Sequence, residues 1–160
     1  MPADTAATQF LEKAGIPYRL FSHPGPVTSL EQAAAERNQT PNQVVRSILF
    51  RLNPGEYAMV LMPGPGQISW KALRAFFKQN RLTLADDEEV LQVTGYRIGT
   101  VNPFGLPQPV QVLIDQALLQ LDEISLGSGL PGTALIIKTA DLLRGIPAAQ
   151  AGCFAVDRPC

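Results

Sequence analysis

"VVRSILFR", residues 44–51, alternates as a β-strand does, with Val44, Arg46, Ile48 and Phe50 on one face and Val45, Ser47, Leu49 and Arg51 on the other. Arg51 falls at the end of the run, within reach of water. Arg46 sits among three apolar residues on the face that reads as core-facing. A guanidinium buried there must be paired and hydrogen-bonded. Either its stem reaches out to solvent or something anionic meets it.

The flanks of this strand set the fold class. Upstream, Thr40-Pro41-Asn42-Gln43 has capping-box spacing with proline at the first helical position, a single turn that feeds the chain into the strand. Downstream, "NPG" at 53–55 turns the chain into "EYAMVLMP", an antiparallel partner. Further out, Asp4 or Thr5 caps a helix carrying Phe10, Leu11 and Ala14 that Gly15 and Pro17 close. "YRLFSH" at 18–23 reads as a short strand. Thr28 and Glu31 have capping-box spacing for an alanine-rich helix to about Arg37, with Asn38 as a left-handed terminus. Ser69 caps a helix whose stripe of Trp70, Leu73, Phe76 and Phe77 belongs in a core.

"RLTLA" is a strand, and Asp86 with Glu89 caps a short helix that Gly95 closes. The acidic run there suits a helix N-terminus rather than a metal. Strands follow near 110–114, 123–126 and 133–138, then a turn of helix at "ADLLR" and a loose tail over 147–160. The order predicts one α+β domain over 1–160. Its sheet would be single, curved, mixed but mostly antiparallel and barrel-like, with helices packed outside.

Composition limits the function. The 160 residues are 46% hydrophobic and 17% charged, as in an ordinary globular domain. Glycine and proline total 27, which implies many turns. No run reaches the length of a membrane span, and the N-terminal stretch has no secretory pattern, so a cytoplasmic protein is expected. A net charge of −1 argues against coating DNA or RNA nonspecifically, but allows a small cationic pocket. One histidine and two cysteines, Cys153 and Cys160, make a zinc site improbable, and no cofactor or metal is expected. Nothing in the spacing links Cys153 to His23 as a dyad.

Two glycine-rich stretches could carry chemistry. "GYRIGTVNPFGLP", residues 95–107, cannot be helix or interior strand, yet holds Tyr96, Ile98, Val101 and Phe104, which favour burial. A long rigid loop of this kind is functional or structural, and glycine allows close approach to a ligand. "GSGLPG", residues 127–132, is either an anion nest of backbone N–H groups or a plain hairpin connection. His23 in "FSHPG" is a strand-end side chain bonded to its surroundings, or a catalytic group if a nucleophile stands beside it.

Taken together, "TSLEQAAAERNQTPNQVVRSILFR", "MVLMPG", "LADDEEVLQVTGYRIGTVNPFGLP" and "DQALLQLDEISLGSGLPGTALIIKTADLLR" resemble, in order and spacing, the YbaK/ProX family of aminoacyl-tRNA deacylases. That family is related to the editing (insertion) domain of bacterial prolyl-tRNA synthetase. The resemblance spans residues 5–146 and implies hydrolysis of the ester joining a small wrong amino acid to the 3′ adenosine of a tRNA, often a proline tRNA. It implies aminoacyl-tRNA as substrate and a synthetase as a possible partner.

Carried over, the family's Gly-x-x-x-Pro loop falls on Gly99, Thr100, Val101, Asn102 and Pro103. Its glycine-rich hairpin falls on Gly127, Ser128 and Gly129, and its His-Pro step on His23. Tyr18 and Phe21 lie on the adjoining wall, and Ile48, Val101 and Phe104 join them in setting pocket volume. The family lysine is Arg46 here. Arginine keeps the charge and binds phosphate, but cannot act as a base. The catalytic expectation is therefore an anchoring Arg46, with Gly99 and Pro103 shaping the loop and loop N–H groups meeting the oxyanion. The alternative is a non-catalytic protein that binds tRNA ends or a small ligand on the same scaffold.

Overall fold

The computed structural model describes residues 4–160. Thr5 opens α1 (Ala6–Ala14), accepting the Thr8 N–H on its hydroxyl, and Gly15 closes it in the left-handed conformation. β1 (Arg19–Ser22), α2 (Leu30–Glu36) and one turn of 3₁₀ helix at Pro41–Gln43 lead into β2 (Val45–Asn53). β3 (Glu56–Pro63), α3 (Trp70–Phe77), β4 (Thr83–Leu84) and α4 (Asp87–Thr94) follow. After the glycine-rich loop come β5 (Gln111–Asp115), a 3₁₀ turn at Gln116–Gln120, β6 (Glu123–Gly127), β7 (Thr133–Lys138), α5 (Thr139–Gly145) and β8 (Gln150–Gly152).

The α+β class and mostly antiparallel pairing hold, but the strands form two sheets where one was expected. β1-β7-β6 is fully antiparallel. The second sheet, β4-β2-β3-β5-β8, adds two parallel pairings through β5. The sheets meet at one parallel bridge from Val44 to Ser125, so the sheet surface curves without closing. Among the described residues no helix is long and apolar enough to cross a membrane.

β2 is covered on both faces, which its alternation alone did not reveal. Val45 and Leu49 enter the main core with Leu61, Ile124, Leu126 and Leu135. Phe50, with Ile48 beside it, joins a second cluster with Val60, Met62, Leu73 and Phe154 under α3. The aromatic stripe of α3 serves that cluster, with Trp70 edge-on to Phe50 at 5.1 Å and Phe76 on Phe154 at 5.6 Å.

The tail over 147–160 is held in place, a correction to the loose tail expected. β8 pairs with β5, Phe154 is buried, and Cys153 is disulfide-bonded to Cys160 with Cα atoms 5.6 Å apart. The buried Asp115 carboxylate accepts the Phe154 N–H at 2.9 Å and faces Arg158 at 3.5 Å. A three-residue strand is too short to register as periodicity, so these contacts had no signal in the sequence.

Candidate active site

The site forms where the two glycine-rich loops cross the junction of the sheets. Gly127 lies against backbone: a Cβ there would stand 2.5 Å from the Thr100 carbonyl carbon and 2.6 Å from the Val101 oxygen. Only glycine permits that approach. The Gly129 N–H donates to the Thr100 carbonyl at 3.0 Å, tying the loops a second time. The 95–107 loop is stiffened from within. The Asn102 Oδ1 accepts the Phe104 N–H at 3.0 Å, and the Thr100 hydroxyl donates to the Arg97 carbonyl at 2.8 Å. The Tyr96 hydroxyl donates to the Phe104 carbonyl, and burial pushes its pKa up to about 12. Ile98, expected inside, is 55% exposed.

Beside this junction opens a cleft of about 460 Å³. Val27, Leu30, Ala33, Val101 and Leu126 form an apolar wall, Ser47 and Thr133 add hydroxyls, and Arg37 and Arg46 supply charge. Among the described residues no carboxylate, imidazole or thiol lines it. Of the residues expected at a site, Arg46, Gly99, Val101 and Gly127 lie on this cleft. Ile48 lies on a smaller adjoining one that shares Ser47, Gly99 and Val101.

The other expected residues are placed elsewhere. Thr100 and Asn102 are buried pins of the loop. The buried Ser128 hydroxyl donates to the Thr133 carbonyl at 3.1 Å and accepts the Leu130 N–H, fixing the hairpin with Gly129. Pro103 lines a separate apolar cleft with Phe10 and Ile146. Tyr18 lines another with Arg19 and Lys138, its hydroxyl donating to Glu12. Phe104 is buried and stacked on Phe10. Phe21 lies edge-on to His23.

Arg46 answers the question its strand raises. Its Nε donates to the Gly64 carbonyl at 2.9 Å and its Nη2 to the Gly66 carbonyl. These acceptors are neutral, so they fix the guanidinium without cancelling its charge. Burial lowers its pKa, yet an arginine stays protonated. The fork of a guanidinium spans two carbonyls in a way that one ammonium does not.

Arg37 is a charged residue of the cleft that sequence reasoning missed. It ends α2, just before Asn38 in the left-handed conformation, where a basic residue suits the helix dipole and attracts no notice. Its Nε donates to His23 Nε2 at 3.1 Å and its Nη1 to the Ser125 hydroxyl at 2.9 Å. Burial lowers its pKa as well. His23 itself is 2% exposed at the side chain and bonds the Glu36 carboxylate at 2.6 Å through Nδ1, so it lies behind the cleft wall. Hydrogen bonds from Gln32 and His23 hold Glu36 below the usual carboxylate range. With Cys153 in a disulfide, no Cys–His dyad exists.

Residues 24–144 match the family described as "Aminoacyl-tRNA editing domain". The chain is 32% identical over 108 residues to the proline–tRNA ligase of Kosmotoga olearia, covering 68% of this chain and 18% of that one. It is 27% identical over 124 residues to the proline–tRNA ligase of Thermosipho africanus, covering 78% and 20%. The chain thus spans about a fifth of the length of these relatives. Among solved structures, a protein proposed to be a trans-editing enzyme for prolyl tRNA synthetase superposes with a TM-score of 0.85 at 23% identity, over 96% of this chain and 99% of that one. The match across three quarters of the chain, with the fold to accompany it, makes this protein a member of the aminoacyl-tRNA editing domain family.

Proposed function

We propose that this protein hydrolyses the ester of a mischarged aminoacyl-tRNA in trans, accepting the terminal adenosine in the cleft between α2, β2 and the 99–101 loop. The observation that carries this reading is the pairing of two guanidinium groups, neither lined by a carboxylate, with an apolar wall in one cleft. Such a cleft suits a phosphate at one end and a small side chain at the other. The relatives among proline–tRNA ligases favour a proline-tRNA-type substrate. A synthetase pocket separates amino acids differing by one methylene by only about 1–3 kcal/mol, so a later hydrolysis is needed.

In the reaction, water oxygen bonds to the ester carbonyl carbon, the bond from that carbon to the ribose oxygen breaks, and the ribose oxygen gains a proton. The lining offers no side chain able to take the water proton, since arginine cannot and His23 is committed to Glu36 and Arg37. The substrate's neighbouring hydroxyl or its amino group fills that role. Arg46 anchors phosphate. The Thr100 and Gly129 N–H groups are already bonded within the loops, so the oxyanion falls to the Gly99 amide on the cleft lining.

Single-turnover deacylation of tRNAs carrying Ala, Ser, Thr, Cys or Pro tests this, with Arg46→Ala beside wild type. Hydrolysis of one mischarged species that collapses in the variant supports it. A second reading, a binding protein without turnover, draws on the commitment of Arg46 to Gly64 and Gly66. Retained binding of the tRNA end with no hydrolysis of any species would select it.

A further inference from the structure

Arg37 and its neighbours form a built arrangement to which the reaction as described assigns no individual role. The carboxylate of Glu36 is one residue away, yet it bonds His23 and the Gln32 amide instead of the arginine. Among the described residues, neither Arg37 nor Arg46 forms an ion pair within 4.0 Å, unlike Arg19, Arg51, Arg144 and Arg158. Arg37 meets only neutral acceptors, His23 Nε2 and the Ser125 hydroxyl, which passes its own proton to Gln39 Oε1 at 2.6 Å. An arginine only donates, so His23 Nε2 must hold a lone pair and Nδ1 must carry the proton shared with Glu36. Two of the five guanidinium N–H groups are used, and three remain on a residue that lines the cleft. A cation bonded to neutral groups, with its counter-charge one imidazole behind it, still attracts an incoming anion, although Glu36 offsets part of its charge.

We infer that Arg37 is a second phosphate-binding residue of this cleft beside Arg46, and that His23, in its Nδ1-protonated form, is its positioning residue. The inference rests on the proposed site and specifies how it takes the anionic end of its substrate. His23 is thereby not catalytic: it touches Arg37, never the reacting ester.

Adenosine 5′-monophosphate is the probe, with affinity measured calorimetrically at pH 7.5. Arg37→Gln and Arg46→Gln should each weaken binding roughly tenfold or more, the effect of losing a charged hydrogen bond. His23→Leu removes the acceptor and should weaken binding roughly threefold or more, whereas His23→Gln, which can still accept from Arg37, should stay within about twofold of wild type. Because His23 is the sole histidine, its ¹⁵N resonances are unambiguous. They should report a protonated Nδ1 and a bare Nε2, and the Nε2 signal should move when the probe binds.

Probe affinity unchanged in Arg37→Gln but lost in Arg46→Gln overturns the role of Arg37 and leaves the proposed function standing. A wild-type protein that does not bind the probe overturns both. Probe binding that needs both arginines, in a protein that hydrolyses no mischarged tRNA, upholds the inference and rejects the hydrolase. Should Arg37→Gln fail to fold, the wild-type ¹⁵N titration decides, and an unmoved Nε2 signal overturns the inference.

Discussion

Gly127→Ala tests the contact on which the candidate site is built. The added methyl carbon would stand 2.5 Å from the carbonyl carbon of Thr100 and 2.6 Å from the oxygens of Thr100 and Val101. These are backbone atoms of a loop braced by Asn102, Tyr96 and Gly129, so no flexible side chain can yield. Relief requires moving one loop by roughly 0.8 Å, an overpacking strain at the upper end of the usual range, about 3 kcal/mol. In a domain of this size that lowers Tm by about 6–12 °C. Gly99→Ala is the control. Nothing lies within 4 Å of its methyl, and only its φ of +91° opposes the change, at about 1–2 kcal/mol. Thermal unfolding by circular dichroism should therefore separate the two, with Gly127→Ala at least as destabilised. Single-turnover deacylation should fall in both, since Gly99 lines the cleft. A Gly127→Ala protein that melts with wild type would refute the close approach of the loops.

Arg46→Ala should lower deacylation kcat/KM by roughly 10–100-fold through loss of a charged hydrogen bond, and Arg46→Lys should not restore it fully, because one ammonium cannot span the Gly64 and Gly66 carbonyls. Turnover raised several-fold by lysine would instead mean that the amine moves a proton. Glu89 lies below its ordinary value of 4.5, held first by the Asp86 backbone N–H, then by Tyr57 and Arg51. Its stabilisation is present above pH 4.5 and lost as pH falls through the depressed value. Urea midpoints at pH 6 and pH 3 should then differ less in Glu89→Gln than in wild type. Reduction of the Cys153–Cys160 disulfide, which closes a separation of 7 residues, should remove about 2 kcal/mol and lower Tm by about 4–8 °C. Calorimetry with and without dithiothreitol reads this directly, and identical traces would show the tail held by β8 and Phe154 alone.

Local chemistry was legible in the sequence and tertiary convergence was not. Caps and turns are short-range: Thr5, Ser69 and Asp86 bond N–H groups within three residues, so the sequence carries those helix starts, whereas α2 is capped by Ser29 on the Gln32 N–H, one residue after the Thr28 expected. The β2–β3 hairpin rests on a turn and matching alternation and was equally readable. The editing family was legible as a resemblance of four stretches in their order along the chain, and the match over residues 24–144 shows it. The meeting of the two sheets rests on a bridge between Val44 and Ser125, far apart in sequence, and no local pattern encodes it. The fate of Arg46 was undecidable for the same reason, because its acceptors are backbone carbonyls of a turn 18 and 20 residues away. Carbonyls carry no residue identity to read. Arg37 reaches Ser125 across 88 residues. The sequence by itself determined most of the elements and caps and, through resemblance, the family. Only the tertiary structure decided which charges face the cleft, because a buried cation is positioned by groups that folding brings from distant parts of the chain.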